Sequence, residues 1–234
     1  MRIIAWNFRG LGNQSVVPKL KYLVRYYKPD TFFLSETLVH SNKTDAFHYL
    51  LGFDNCFSIS SNGRSGGLAL FWRNSFVCTV LNYSANHINV EVNDLNKGKW
   101  QFTSYYGFPE GRRRRALWDF LRNLANNTSL PWCILGDFND ILDVCEKRGG
   151  VIRPRWLING FRQAVSDAGL TEVFMKGYPY TWFKSLGTPR AVEVKLDRAL
   201  ANGDWFRMFP NVIVENLVAP TLDHYPLLLK KEES

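Results

Sequence analysis

Short apolar runs that stop abruptly on polar side chains constrain this chain more than any other feature. Pro131-Trp132-Cys133-Ile134-Leu135 runs into Gly136-Asp137-Phe138-Asn139, Ile3-Ile4-Ala5-Trp6 into Asn7, and Phe32-Phe33-Leu34 into Ser35-Glu36. The segment Leu222-Asp223-His224-Tyr225-Pro226 likewise abuts Leu227-Leu228-Leu229. Such runs read as buried strands. Their polar residues then sit at strand ends, where a sheet hands its last side chains to a cleft.

The order of elements follows from the same patterning. After the first strand comes a glycine-punctuated turn, Asn7 to Asn13, and then helical spacing of Val17, Leu20, Val24 and Tyr27, broken by Pro29-Asp30. Between residues 54 and 106 five β-rich runs separated by turn residues predict an antiparallel meander. Helical spacing returns at Ala116 to Ala125 and at Leu157 to Asp167, the second stopped by Gly169. Tyr180 to Lys184 and Ala191 to Leu200 flank a Leu186-Gly187-Thr188-Pro189 tip and read as one hairpin. The fold class predicted is α/β, a sandwich of two sheets with helices outside. With 234 residues, a single domain is expected over 1–229, followed by a polar tail at 230–234.

A composition of 46% hydrophobic and 15% aromatic residues excludes a disordered chain. The formal charge of +8 favours a polyanionic partner, DNA first and RNA as the other nucleic acid. Part of that excess is Arg112-Arg113-Arg114-Arg115, which reads equally well as a solvated helix start. Four scattered cysteines without a CxxC pair are expected as free thiols of a reducing compartment. No apolar stretch reaches membrane-spanning length and no leader pattern opens the chain. The expectation is a soluble monomer of the nucleus or cytoplasm, not secreted and without a membrane partner.

If the strand ends converge, one cleft holds Asn7, Glu36, Asp137, Asn139, Asp197, Asp223 and His224. Four carboxylates at close range repel one another unless a cation shares the site. Oxygen ligands of this kind suit a hard ion, Mg2+ or Mn2+. Structural readings compete at each position. Asp137 and Asn139 could form an Asx turn, Asp197 could pair with Lys195 or Arg198, and Tyr106 could be a plain strand aromatic. For Trp182 and Phe183, core packing is the favoured role over nucleotide stacking.

Trp6-Asn7-Phe8-Arg9-Gly10, Ser35-Glu36-Thr37, Tyr106-Gly107-Phe108-Pro109, Gly136-Asp137-Phe138-Asn139, Leu196-Asp197-Arg198 and Asp223-His224 follow one another in the order seen in the endonuclease/exonuclease/phosphatase family. The chain resembles that family from residue 2 to about 229. Its Asn7 to Asn13, Glu146-Lys147-Arg148-Gly149-Gly150 and Leu196 to Leu200 textures are most similar to endonuclease domains of plant non-LTR (LINE-type) retrotransposons.

The resemblance implies a four-layer, deoxyribonuclease I-like sandwich and Mg2+-dependent cleavage of phosphodiesters, most simply a DNA endonuclease that nicks one strand and leaves a 3′-hydroxyl. It assigns Glu36, Asn7 and Asp223 to the metal, and catalytic roles to Asp137, Asn139, His224, Asp197 and Tyr106. Arg9, Arg112 and Arg190 are expected to follow the phosphate backbone, with the hairpin tip at Gly187 entering a groove. Leu222 stands where the family has Ser and implies reduced activity. Arg9 replaces the acidic residue of abasic-site relatives. The other readings are a catalytically impaired nucleic-acid-binding remnant and a same-fold phosphatase or RNA nuclease.

Overall fold

A computed structural model describes residues 1–11, 17–63, 66–217 and 223–232. Gly12 and Asn13 of the glycine turn and the Leu222 substitution lie outside the described residues. Along the chain run β1 (Arg2–Asn7), α1 (Val17–Tyr27), β2 (Thr31–Ser35), α2 (Ser41–Leu51), β3 (Asn55–Ile59), β4 (Leu68–Trp72), β5 (Cys78–Ser84), β6 (His87–Asp94) and β7 (Gly98–Tyr106). Then come α3 (Arg114–Asn126), β8 (Trp132–Asp137), β9 (Lys147–Arg148), α4 (Arg155–Asp167), β10 (Leu170–Glu172) and β11 (Met175–Lys176). The chain finishes with β12 (Trp182–Lys184), β13 (Val192–Val194), β14 (Asp197–Asn202), α5 (Gly203–Met208), β15 (Val212–Asn216) and β16 (Leu227–Lys231).

Two mixed sheets pack face to face. One has the order β11-β15-β16-β1-β2-β4-β3, the other β10-β14-β8-β7-β6-β5, and a small third sheet, β12-β13-β9, stands beside them. Strand alternation explains the layering. Ile3 and Ala5 of β1, Phe33 of β2, Phe102 of β7, and Cys133 and Leu135 of β8 all enter the core between the sheets. The alternate residues Ile4, Trp6, Phe32 and Leu34 pack outward with Leu20, Leu23 and Val24 of α1. On the far side Trp132 and Ile134 meet Leu117, Leu121, Leu157 and Phe161 of α3 and α4, which completes four layers. The fold is the predicted sandwich.

Several expected local details differ. The meander breaks after β4: β3 and β4 belong to the first sheet, β5 to β7 to the second. The second arm of the expected hairpin splits, because β13 pairs with β12 and β9 whereas β14 leaves to pair with β8 and β10. The polar tail begins later than residue 230, since Lys230 pairs with Arg2 and Ile213 within the first sheet, and Lys231 with Val212. All four cysteines are free thiols. Among the described residues no helix is long and apolar enough to cross a membrane.

Candidate active site

The strand alternation that builds the core also gathers the site. Asn7 continues the inward face of Ile3 and Ala5, Asp137 that of Cys133 and Leu135, Asp197 that of Ala199 and Ala201, and Tyr106 that of Phe102. Each is the inward-facing residue at one end of its strand. Register then lines them up: Asp137 lies between Tyr106 on parallel β7 and Asp197 on antiparallel β14, and on the other sheet Asn7 pairs with Ser35, next to Glu36. Polar ends of two sheets therefore face each other across the mouth of the sandwich.

The side chains close into one network. Asn7 Nδ2 donates to Asp137 Oδ2 at 2.9 Å and lies 3.3 Å from His224 Nε2. Asn139 donates from its backbone N–H to Asp137 Oδ1 (2.8 Å) and from its amide to Asp137 Oδ2 (3.0 Å) and the Gly107 carbonyl (2.9 Å). His224 Nδ1 stands 2.9 Å from Asp197 Oδ2, and its Nε2 is 3.8 Å from Asp137 Oδ2. Asn7, Asp137, Asp197 and His224 are all buried. Burial, reinforced by the Asp197 carboxylate, raises the Asp137 pKa above the usual carboxylate range. Burial opposes charge on His224, but Asp197 and Asp137 outweigh it and hold the ring protonated above its ordinary range.

A second, more open group adjoins it. Tyr106 Oη donates a short hydrogen bond to Glu36 Oε1. Arg9 spans two carboxylates, with Nε 3.0 Å from Glu36 Oε2 and Nη1 2.7 Å from Asp223 Oδ2. Trp182 Nε1 donates to the same Asp223 oxygen at 3.2 Å. Burial and then Glu36 push the Tyr106 phenol far above its ordinary range, so it is a neutral donor. Arg9 (φ 41°), Glu36 (φ 53°) and Asn139 (φ 54°) all have left-handed backbones. Asn tolerates that region; Arg and Glu do so at a cost of about 1–3 kcal/mol each, strain of the kind concentrated at functional sites.

The donor set suits a hard divalent ion. Asn7 Oδ1 is buried with no hydrogen-bond partner, an oxygen left available at the cleft that Glu36 and His224 also line. Asp137, Asp197 and His224 also bring one ligand atom each within 4.8 Å of one another. Arg9 now supplies the positive charge between Glu36 and Asp223, so an ion shared by those two carboxylates would compete with the guanidinium.

Supporting residues were less visible in the sequence. Thr181 Oγ1 accepts from the backbone N–H groups of Leu196 and Asp197, both at 2.9 Å, and so fixes where Asp197 points. Trp6 Nε1 donates to the His224 carbonyl at 2.9 Å. Trp182, expected to pack in the core, is half-buried: its ring packs against the Ile141, Ile158, Val194 and Leu196 cluster while its Nε1 reaches Asp223 at the site. Of the four-arginine run, Arg112, Arg113 and Arg115 are exposed, but Arg114 is buried and pairs with Asp140 at 2.9 Å, tying α3 to the turn after Asn139. Arg190 is exposed in the loop that joins β12 to β13 and makes no contact with the network among the described residues.

Two mixed sheets between helix layers, with polar strand ends collected at one edge, define a deoxyribonuclease I-like protein. The chain belongs to the endonuclease/exonuclease/phosphatase family, whose model matches residues 4–219. Similar solved structures include an AP endonuclease from Archaeoglobus fulgidus, at TM-score 0.75 and 14% identity over 100% of both chains. The endonuclease domain of TRAS1, a telomere-specific non-LTR retrotransposon, superposes with TM-score 0.73 at 11% identity, covering 99% of this chain and 98% of that one. A 3′-5′ exonuclease (NExo) from Neisseria meningitidis gives TM-score 0.71 at 18% identity over 100% of both chains. At these identities the likeness speaks for the fold. No curated protein matches the chain in sequence.

Proposed function

We propose that this chain is a divalent-metal-dependent DNA endonuclease that nicks one strand to leave 3′-hydroxyl and 5′-phosphate ends, and that it derives from a non-LTR retrotransposon. The observation that carries the reading is the hydrogen-bonded group of Asn7, Asp137, Asn139, Asp197 and His224, all but Asn139 buried, beside Glu36 and Asp223. Glu36, Asp223 and Asn7 Oδ1 would hold Mg2+ or Mn2+, which when bound polarises a phosphate oxygen and acidifies water. Asp137, held on both oxygens by Asn7 and Asn139, orients a water and accepts its proton. His224, charged and steadied by Asp197, donates to a phosphate oxygen as negative charge builds there. Tyr106 donates as a neutral phenol from the Glu36 side. Arg9, Arg112 and Arg190 contact the phosphate backbone of a monomeric enzyme's substrate.

End-labelled DNA duplex, RNA duplex and a 3′-phosphorylated hairpin, each incubated with Mg2+, test the assignment. Nicked DNA whose 3′ end a polymerase extends directly is the expected product. Cleavage of RNA alone, or release of inorganic phosphate alone, contradicts it. One observation favours a second reading, a nucleic-acid-binding remnant: Arg9 already neutralises Glu36 and Asp223 without an ion. Under that reading DNA binding persists in EDTA with a steep salt dependence and no cleavage follows.

A further inference from the structure

Beside the carboxylate network, the segment between β9 and α4 carries two adjacent aliphatic side chains into solvent. Val151 and Ile152 are 86% and 82% exposed. Exposed apolar residues are common on protein surfaces, and what sets this pair apart is its place at the mouth of the cleft. The segment is not slack. Gly149 and Gly150 have φ of 74° and 63°, and a Cβ at Gly149 would meet the Ala191 carbonyl oxygen at 2.2 Å, so this path requires glycine there. The Lys147 ammonium donates to the Val151 carbonyl, and Arg153 donates to the Asn139 carbonyl at 3.4 Å. The apolar tip is thus braced at one end by β9 and β13 and at the other by the turn that follows Asp137.

Position and charge narrow the partner. Val151, Ile152 and Arg153 line the same cleft as Asn7, Asn139 and His224. Exposed Arg148 and Arg155 stand on either side of the tip. Cations spaced around an aliphatic point fit a duplex, where guanidinium groups meet phosphates and branched side chains enter between base pairs. Single strands are held instead by aromatic stacking; Val151 and Ile152 carry no ring, and the nearest exposed one in sequence, Trp156 of α4, packs edge-on against Trp118 of α3.

Resting on the DNA-nicking reading above, we infer that Val151 and Ile152 form a rigid wedge that unstacks one base step of duplex DNA next to the phosphate presented to Asp137 and His224. The Arg153 to Asn139 bond couples the depth of that wedge to the placement of the phosphate.

Duplexes carrying 2-aminopurine at successive positions, mixed with the full chain in EDTA to prevent cleavage, test this. Wild-type protein is expected to raise fluorescence at one step only. The double variant Val151→Ser, Ile152→Ser removes that rise and loses about tenfold in duplex affinity, a deficit that shrinks on a duplex mismatched at the same step. The conservative pair Val151→Ile, Ile152→Leu keeps both signals. An equal rise with the serine variant, or no rise with wild-type protein that binds duplex, overturns the wedge alone. Absence of any duplex binding by wild-type protein removes the DNA reading and the wedge with it. Serine-sensitive partition onto anionic phosphatidylglycerol vesicles, with DNA binding unaffected, assigns the tip to a lipid surface instead and also overturns the proposal.

Discussion

His224 Nδ1 lies 2.9 Å from Asp197 Oδ2 while its Nε2 faces Asp137 Oδ2 at 3.8 Å, so one buried imidazole is shared by carboxylates on two adjacent strands. Asp197 touches the ring on the side away from Asp137 and serves to orient it and hold its charge. Asp197→Asn keeps the shape and removes the charge. Single-turnover nicking is expected to slow by about 10²- to 10³-fold in a protein whose circular dichroism shows it folded at the assay temperature. A rate within threefold of wild type contradicts the orienting role.

Arg9 and an ion cannot both have full use of Glu36 and Asp223. Arg9→Ala leaves those carboxylates without their guanidinium, and calorimetric titration with Mn2+ is expected to show roughly tenfold tighter binding. The same change removes a phosphate contact, so the salt slope of duplex binding should fall by about one. Unchanged Mn2+ affinity argues that the ion is held elsewhere.

His87 supplies a pH test away from the site. Its Nε2 donates to Asn82 Oδ1 at 2.8 Å and its Nδ1 accepts from the Ser84 hydroxyl at 2.7 Å, an arrangement for the neutral ring. Burial lowers its pKa to about 4, below the ordinary value of about 6.5. Between those values the unfolded chain binds more protons than the folded one. Stability contributed by the neutral ring is therefore complete above about pH 6.5 and is lost as pH falls toward 4. Urea unfolding should lose about 1–2 kcal/mol more in wild type than in His87→Gln between pH 7 and 4.5, once solvent screening is allowed for. Parallel pH profiles for the two proteins contradict this.

Gly136 sets the strand end that delivers Asp137. Its φ is 154°, and a Cβ there would meet the Tyr105 carbonyl oxygen at 1.9 Å, backbone of the paired strand that cannot step aside. Gly136→Ala is expected to cost about 3 kcal/mol or more in urea unfolding, or to prevent folding. A cost below about 1 kcal/mol would show that β7 and β8 can separate locally.

The clustering of these side chains was readable from sequence because period-two alternation carries through the strand ends: Asn7, Tyr106 and Asp137 continue the inward face at the end of their strands, and Asp197 begins it on β14. What alternation cannot tell is which sheet a strand joins. Inner faces of both sheets carry the same pattern, so β4 and β5 read as neighbours although they lie in different sheets. The 191–200 run hid a similar change of sheet, marked only by Lys195, whose N–H turns to the Glu146 carbonyl. Helix α2 buries little beyond Thr44 and Leu51, too few apolar positions to give a period. Among four consecutive arginines, Arg114 stands one turn before Leu117 and Trp118 on the buried face of α3, but a charge there is tolerable only because Asp140 pairs with it, and that partner is set by the tertiary fold.

Relaxation of supercoiled plasmid by the purified chain is the most direct test of the site as a phosphodiesterase centre. With Mg2+ the wild-type protein is expected to convert supercoiled DNA to the open-circular form, EDTA to stop the conversion, and Asp137→Asn to abolish it while the protein remains folded. Folded wild-type protein that leaves the plasmid supercoiled with either Mg2+ or Mn2+ at low salt, or an Asp137→Asn variant that nicks at the wild-type rate, would contradict the account.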